Sequence, residues 1–237
     1  MGAVRRKAKV RVRGRTLRNW RTVILLVAVA GTGGIVASRS AAPQGAKGDT
    51  WSVALASLEK LPIRERASKS GYGREQFGQR WADTDHNGCD TRNDILNRDL
   101  EERAWRPGTG GCVVVAGLLQ DPYTGMPIRF EKSKAFEVQI DHVVALSNAW
   151  QTGAQALDPP RRMEFANDPL NLLAVDGPTN EAKGDADAAE WMVPNPNFRC
   201  SYVVRQIEVK VRYGLWTTPE EHDAMRRVLA TCSSRLQ

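Results

Sequence analysis

In residues 49–237, hydrophobic residues recur at helical spacing near the start and near the end. A short amphipathic helix is predicted first, with one face formed by Trp51, Leu55, Leu58 and Leu61. The same spacing predicts three more helices, over residues 74–81, 91–100 and 201–213. A last helix is expected after Thr218, because Thr218-Pro219-Glu220-Glu221 has the form of a capped start with proline at the first helical position.

Alternating and β-branched positions occupy the middle of the chain. Residues 111–119 and 126–131 flank the turn sequence Asp121-Pro122-Tyr123-Thr124-Gly125, which predicts a β-hairpin. Two further strands are expected at residues 138–146 and 171–175, separated by helical stretches at residues 147–157 and 160–167. Gly177-Pro178 ends the second of these strands, and residues 178–191 are predicted to be helical. The pattern as a whole predicts an α+β fold.

The first 37 residues are typical of a secretory leader. Nine basic residues and no acidic residue precede position 22, and an apolar run then covers residues 23–36. That run falls short of the roughly 20 residues of a spanning helix, and small residues follow it. We predict a signal peptide, or as the alternative an uncleaved signal anchor, over residues 1–37, a linker over 38–48 and one domain over 49–237. The protein is then secreted, or held at a membrane by its uncleaved N-terminal segment.

The formal net charge of +7 is carried by this leader. After residue 48 the acidic side chains outnumber the basic ones, so any attraction to a polyanion must be local or supplied by a metal ion. At 237 residues and 41% hydrophobic composition, the chain is long enough to bury one full core.

Four cysteines form an even set in a chain that is expected to be exported. They are Cys89, Cys112, Cys200 and Cys232, and none has the close spacing of a zinc or redox motif. We expect Cys89 to pair with Cys112 and Cys200 with Cys232, because these pairings close short loops. Free buried thiols are the alternative.

The candidate chemistry lies between residues 139 and 184. Asp141 and Asn180 offer oxygen ligands suited to Mg²⁺, Mn²⁺ or Ca²⁺, and the absence of cysteines nearby disfavours zinc. His142 can accept a proton from water at neutral pH. Because neighbouring residues of a strand point to opposite faces, Asp141 and His142 can share a site only if the strand ends or bends there.

Three further residues are candidates for catalysis. Asn171 is expected to hold the intervening loop by hydrogen bonds and thereby orient His142. Lys183 lies one helical turn from Asn180 and could contact a phosphate. Arg92 follows Cys89 in a loop that a disulfide would tether, where it could clamp the scissile phosphate or form a structural salt bridge.

The motifs Asp141-His142-Val143-Val144, Asn171-Leu172-Leu173 and Asn180-Glu181-Ala182-Lys183-Gly184 resemble the HNH endonucleases, which have a ββα-metal core. They are most similar to secreted bacterial proteins related to the C-terminal nuclease domain of GmrSD-type restriction enzymes. The resemblance implies a ββα-metal core over residues 138–191, embedded in a mainly helical, disulfide-tied domain with a β-hairpin.

The resemblance also implies that His142 is the general base, that Asp141 and Asn180 bind the metal, and that Asn171 is structural. Many HNH enzymes have histidine at the position of Asn180. Because a carboxamide is the weaker ligand, the metal identity stays open, with Mg²⁺ or Mn²⁺ expected. An ordinary core histidine, with Asn171 and Asn180 as turn and cap residues, is the alternative.

The expected function is that of a secreted, monomeric, metal-dependent endonuclease that hydrolyses DNA, or RNA as well, without strong sequence specificity. No stable membrane partner is expected if the leader is cleaved. The alternative is a non-catalytic secreted module that binds calcium or interacts with the cell envelope.

A second cation site is suggested by the segment from Asp83 to Asp94. Asp83, Asp85, Asn87 and Asp94 follow the spacing of a calcium-binding loop, with Gly88 at the turn position and Thr91 at the ninth position. A plain turn followed by acidic residues at the start of a helix would explain the same residues.

Overall fold

The computed structural model describes the backbone of residues 46–234 and the side chains of residues 50–232. The predicted leader lies outside the described residues. The last three positions of the predicted linker fall in the first helix, which begins at Ala46. Among residues 46–234, none of the helices combines the length and the apolar composition needed to span a bilayer.

The described chain contains seven α-helices and two small antiparallel sheets, which confirms the predicted α+β class. The helices are α1 (Ala46–Leu58), α2 (Thr91–Asp99), α3 (Leu146–Gln151), α4 (Pro159–Asn167), α5 (Gly177–Lys183), α6 (Arg199–Tyr213) and α7 (Pro219–Ser234). The strands are β1 (Leu100–Trp105), β2 (Val114–Gln120), β3 (Pro127–Glu131), β4 (Val138–His142) and β5 (Leu172–Asp176). Short 3₁₀ helices cover Arg74–Phe77, Lys132–Lys134 and Ala154–Ala156.

The first sheet has the order β1-β2-β3, and its β2-β3 pair is the predicted hairpin. Strand β1 was not predicted, because five of its six residues are exposed and its sequence shows no alternation. The chain enters it directly from α2, where a longer helix was expected.

The second sheet pairs β4 with β5, with Val138 opposite Asp176 and His142 opposite Leu172. Helix α5 follows β5 without a loop and is shorter than predicted, ending at Lys183. It stops there because Gly184 has a φ of 53°, a left-handed conformation that glycine adopts easily and that ends a helix. The region therefore has the order strand, strand, helix.

Three hydrophobic clusters surround these elements. The largest packs α1, α6 and α7 around side chains such as Leu58, Tyr202 and Met225. A second lies around α3 and α4, and a third joins α2 to both sheets through residues such as Leu96, Phe130 and Ile140. Inside the helical part, the buried ammonium of Lys210 lies 3.0 Å from the buried carboxylate of Glu221, which ties α6 to α7.

Both expected disulfides are confirmed. Cys89–Cys112 ties the segment before α2 to the segment before β2, and Cys200–Cys232 links the start of α6 to the end of α7.

Removing the second bridge tests its contribution. In Cys200→Ser/Cys232→Ser the free energy of unfolding should fall by about 3 to 4 kcal/mol, because the bridge spans 32 positions and restricts the unfolded chain. Urea denaturation under oxidising conditions, followed by tryptophan fluorescence, measures the change. In dithiothreitol, wild type and variant should converge. A loss below about 1 kcal/mol would contradict this account.

Candidate active site

The end of strand β4 and helix α5 together form the centre of the site. Helix α5 runs along β4, so that Asn180 lies beside Gln139 and Lys183, at the helix end, lies beside Asp141. The strand ends at His142, which is where the sequence required a bend if Asp141 and His142 were to act together.

Asp141 is buried, and both of its carboxylate oxygens accept hydrogen bonds. One accepts from the ammonium of Lys183 at 2.8 Å, and the other from the hydroxyl of Tyr123. Burial first, and then the charge of Asp141, raises the pKa of Tyr123 well above its ordinary value. The phenol therefore stays protonated and donates to the carboxylate.

Lys183 occupies a different environment from the expected one. Its side chain is fully buried, and its ammonium also donates to the carbonyl of His142 at 2.8 Å. The ammonium is held by two oxygen atoms and Lys183 does not line the adjoining cavity, so no phosphate contact is observed and that contact stays a prediction. Lys183 instead fixes the carboxylate of Asp141 and the backbone at His142.

The imidazole of His142 is half-buried with one ring nitrogen occupied. Its Nε2 lies 2.9 Å from the carbonyl oxygen of Ala166. Because a carbonyl only accepts, Nε2 carries the proton and Nδ1 keeps the lone pair. The ring is stacked on the indole of Trp81, with centroids 6.0 Å apart and planes inclined by 11°.

The environment of His142 keeps it neutral. Burial lowers its pKa to about 4, and the positive charges of Lys183, Arg74 and Arg80 act in the same direction. The hydrogen bond to Ala166 opposes this shift without cancelling it. At neutral pH the side chain therefore presents an unprotonated Nδ1, the form that a general base requires.

Asn171 holds the backbone just beyond His142. Its carbonyl oxygen accepts from the amide of Val143 at 2.8 Å. Its fully buried side chain accepts from the amide of Val144 at 2.8 Å and donates to the carbonyl of Val144 at 3.2 Å. These three bonds fix the turn at which β4 ends.

Asn180 is half-buried and has its amide nitrogen engaged. Nδ2 donates to the side-chain oxygen of Gln139 at 2.8 Å, and the Gln139 amide in turn donates to Glu181 at 2.8 Å. The side-chain oxygen of Asn180 is thus the atom suited to coordinate a cation.

Asp141, His142 and Asn180 line one cavity of about 590 Å³. Three arginines, Arg74, Arg80 and Arg92, line it as well. Within the described part of the chain, none of these guanidinium groups forms an ion pair with a carboxylate. The salt bridge considered for Arg92 is therefore not observed; its guanidinium lies over the ring of Phe130, 6.0 Å from the centroid. Burial lowers the pKa of Arg92, and the charge of Arg80 lowers it further.

A hard divalent cation fits the donor set. A carboxylate has about four lone-pair sites, of which Tyr123 and Lys183 use two on Asp141. In residues 46–234 no group of three or more histidine, cysteine or acidic side chains could hold a metal ion. Asp141 and Asn180 could each offer one oxygen atom to an ion that completes its shell with water and substrate, as Mg²⁺ does.

The Asp83–Asp94 loop closes on itself through its own side chains. The Asn87 amide donates to Asp85 at 3.0 Å and to Asp94 at 3.2 Å, and Asp83 accepts from the amide of Gly88 at 2.9 Å. Gly88 has a φ of 88°. These bonds suit a plain turn as well as a cation loop, so calcium binding there stays a prediction.

Several residues that line the cavity or contact its lining residues were not identified from the sequence. The sequence predicts Tyr123 in the hairpin turn and Trp81 at the end of a helix, and links neither to the site. No local signal links Tyr123 to Asp141, because they are 18 positions apart and meet only through packing. The predicted helix over residues 74–81 is a short 3₁₀ helix that begins at Arg74 and ends at Phe77, so Arg80 lies beyond it.

Comparison with known proteins fits this geometry. Residues 90–228 match the family described as GmrSD restriction endonucleases, C-terminal domain. An uncharacterized secreted protein of Arthroderma benhamiae (strain ATCC MYA-4681 / CBS 112371) is 36% identical over 188 residues, which cover 76% of this chain and 85% of that relative. No solved structure matches the chain significantly. Because the family match covers more than half of the chain and includes Asp141, His142, Asn171 and Asn180, the chain belongs to the family of GmrSD restriction endonuclease C-terminal domains.

Proposed function

We propose that the protein is a secreted, metal-dependent nuclease of the HNH type that hydrolyses phosphodiester bonds in DNA. The observation that carries the proposal is that His142, with Nε2 held by Ala166, lines one cavity together with Asp141, Asn180 and three arginines that form no ion pair with a carboxylate in the described part of the chain. Membership of a restriction endonuclease family supports the same chemistry.

Hydrolysis begins with a water molecule beside Nδ1 of His142. As the water oxygen forms its bond to phosphorus, Nδ1 takes one water proton, and the bond from phosphorus to the 3′ oxygen breaks. The departing oxygen leaves with the bonding electron pair and takes a proton from solvent water to become a 3′-hydroxyl, the new bond gives a 5′-phosphate, and His142 returns its proton to solvent. When bound, a divalent cation held by Asp141 and Asn180 supplies charge stabilisation for the phosphoryl oxygen and the leaving oxygen.

The surrounding residues keep His142 ready for this step. The carbonyl of Ala166 fixes the tautomer, Trp81 fixes the plane of the ring, and Asn171 fixes the backbone beyond it. Such prior ordering lowers the cost of reaching the reactive geometry.

The three arginines supply the local positive charge that this acidic domain needs in order to hold a phosphate backbone. Guanidinium groups bind phosphate through paired hydrogen bonds. Because Arg74, Arg80 and Arg92 form no ion pair with a carboxylate among the described residues, their charges are available to a phosphate in the cavity. Backbone contacts of this kind carry no sequence information, which favours a nuclease of low sequence specificity.

Export is supported by the basic and apolar leader and by the relative whose name describes it as secreted. A non-catalytic calcium-binding or envelope-interaction module remains the competing function. It is favoured only if the cavity supports no hydrolysis.

Replacing His142, the proposed general base, tests the catalytic proposal. His142→Ala should lower the rate of plasmid nicking at least about 100-fold, because general-base catalysis contributes about 10²- to 10⁴-fold. The rate is measured with the full chain in Mg²⁺ and in Mn²⁺. His86→Asn is the matched control, since His86 is exposed and outside the cavity, and its positive φ suits asparagine. Equal nicking by wild type and His142→Ala would remove the catalytic role.

Metal dependence has its own test. In Asn180→Ala the Mn²⁺ concentration for half-maximal activity should rise at least about tenfold, because even residues that only support a ligand change metal affinity by about 10- to 100-fold. Asn180→His should restore affinity, since imidazole is the stronger ligand. Activity that survives EDTA, or an unchanged Mn²⁺ requirement in Asn180→Ala, would refute the ligand assignment.

The structural role of Lys183 is tested by stability. Lys183→Met should lower the free energy of unfolding by about 3 to 5 kcal/mol, because it leaves the buried Asp141 carboxylate without its cation. Asp141→Asn/Lys183→Met should recover part of this loss, since no uncompensated charge stays buried.

The matched control for that measurement is Lys69→Met. Lys69 and Asp185 form a pair at 3.2 Å in which both side chains are about half exposed, so the change should cost less than about 1 kcal/mol. Urea denaturation of all three variants gives the comparison. Equal losses for Lys183→Met and Lys69→Met would show that the buried pair does not organise the site.

A further inference from the structure

Phe136 is an exposed aromatic residue at the edge of the cavity. Seven large hydrophobic side chains in the described part of the chain are substantially exposed, and Phe136, at 65%, is the one among them that lines the cavity. Isolated exposed hydrophobic residues are common and need no explanation. A phenylalanine beside the proposed reaction centre is different, because an aromatic face can bind any nucleobase.

The backbone presents Phe136 rigidly. The amide of Gly177 donates to the carbonyl of Glu137 at 2.9 Å, and the amide of Glu137 donates to the carbonyl of Lys134 at 3.0 Å. A Cβ on Gly177 would lie 1.8 Å from the carbonyl oxygen of Phe136, so the start of α5 packs directly against this turn. Little backbone freedom is therefore lost when a ligand stacks on the ring.

The charges around Phe136 suit a polyanion. Lys132 and Lys134, four and two positions before it, are exposed, and Arg92 lines the cavity. Three acids also line the cavity. Asp141 pairs with Lys183 at 2.8 Å and Asp185 with Lys69 at 3.2 Å, whereas Glu181 accepts from the neutral amide of Gln139 at 2.8 Å. An aromatic face set among cations is the usual combination in sites for single-stranded nucleic acid.

The shape of the cavity points to the same class of ligand. Cavities of about 300 to 1,000 Å³ enclose small molecules, and the 590 Å³ here suits one or two nucleotides rather than a double helix. His142 is half-buried and stacked against Trp81, so a phosphate must enter the cavity to reach it. An unpaired strand can bend inward and turn its base toward Phe136, whereas a paired base is held in its stack.

We infer that Phe136 is a stacking platform for an unpaired nucleobase, and that the substrate class of this site is single-stranded nucleic acid. The inference rests on the proposed function, because the stacked base belongs to the strand whose phosphate reaches His142. Phe136 is thus a residue that determines specificity without taking part in bond breaking.

Binding without turnover tests this inference separately from hydrolysis. The full chain is titrated, in EDTA at low salt, into a fluorescein-labelled 12-nucleotide oligothymidylate and into the same strand annealed to its complement, and anisotropy is recorded. Wild type should bind the single strand at least about tenfold more tightly than the duplex. Phe136→Ala should raise the single-strand Kd about tenfold, which corresponds to about 1.4 kcal/mol and lies within the range of base stacking.

Two variants and one modified ligand sharpen the result. Phe136→Trp should restore binding, since it keeps an aromatic face. Met126→Ala is the matched control, because Met126 is 63% exposed and lies outside the cavity. An abasic site at one position of the oligonucleotide should weaken binding to wild type and not to Phe136→Ala, which couples the base to the ring.

The outcomes separate the two proposals. Binding with strand preference but no cleavage in Mg²⁺ or Mn²⁺ would support the stacking platform and overturn the nuclease. Cleavage of single strand and duplex with equal kcat/KM would overturn the stacking platform alone. Equal single-strand Kd values for Phe136→Ala and Met126→Ala would also overturn the stacking platform, as would the absence of single-strand binding.

Discussion

The ion pair between Lys183 and Asp141 joins the end of helix α5 to the end of strand β4, and it holds Asp141 and the backbone of His142 beside the helix that carries Asn180. The ammonium holds one carboxylate oxygen and the carbonyl of His142 at 2.8 Å each. It thereby sets the separation of strand and helix at the level of the proposed metal ligands. Inside the protein such a pair is costly to desolvate, so its value lies in defining one geometry rather than in stability alone.

The positive charge of the proposed site is concentrated at its cavity. The domain after the leader has an excess of acidic residues, yet the cavity combines three arginines with a histidine that burial keeps neutral. The positive charges keep the imidazole unprotonated, and the same charges attract phosphate to the walls of the cavity. Because the attraction is confined to one cavity, the rest of the surface need not hold nucleic acid.

The sequence predicted those parts of the fold that local patterns specify. The hairpin, strands β4 and β5, the main helices and both disulfides followed from periodicity, turn residues and cysteine spacing. Strand β1 was missed because its exposed residues show no alternation, and α5 was overextended because the left-handed Gly184 was not recognised as its end.

The sequence also predicted that Asp141, His142 and Asn180 act at one site, and all three line one cavity. The partners of these residues could not be predicted, since Tyr123 and Lys183 reach Asp141 through packing between distant segments. Lys183 illustrates the limit. A lysine near the end of a short helix is usually solvated, and only the tertiary structure shows that this one is buried as a counterion.

Helix α5 has only seven residues. A helix of that length does not persist by itself in water, because its few hydrogen bonds cannot offset the cost of nucleation. Asn180 therefore takes up its position only once the whole domain has assembled around it. A nascent or unfolded chain therefore has no partly formed active site, and the proposed activity requires the completely folded domain.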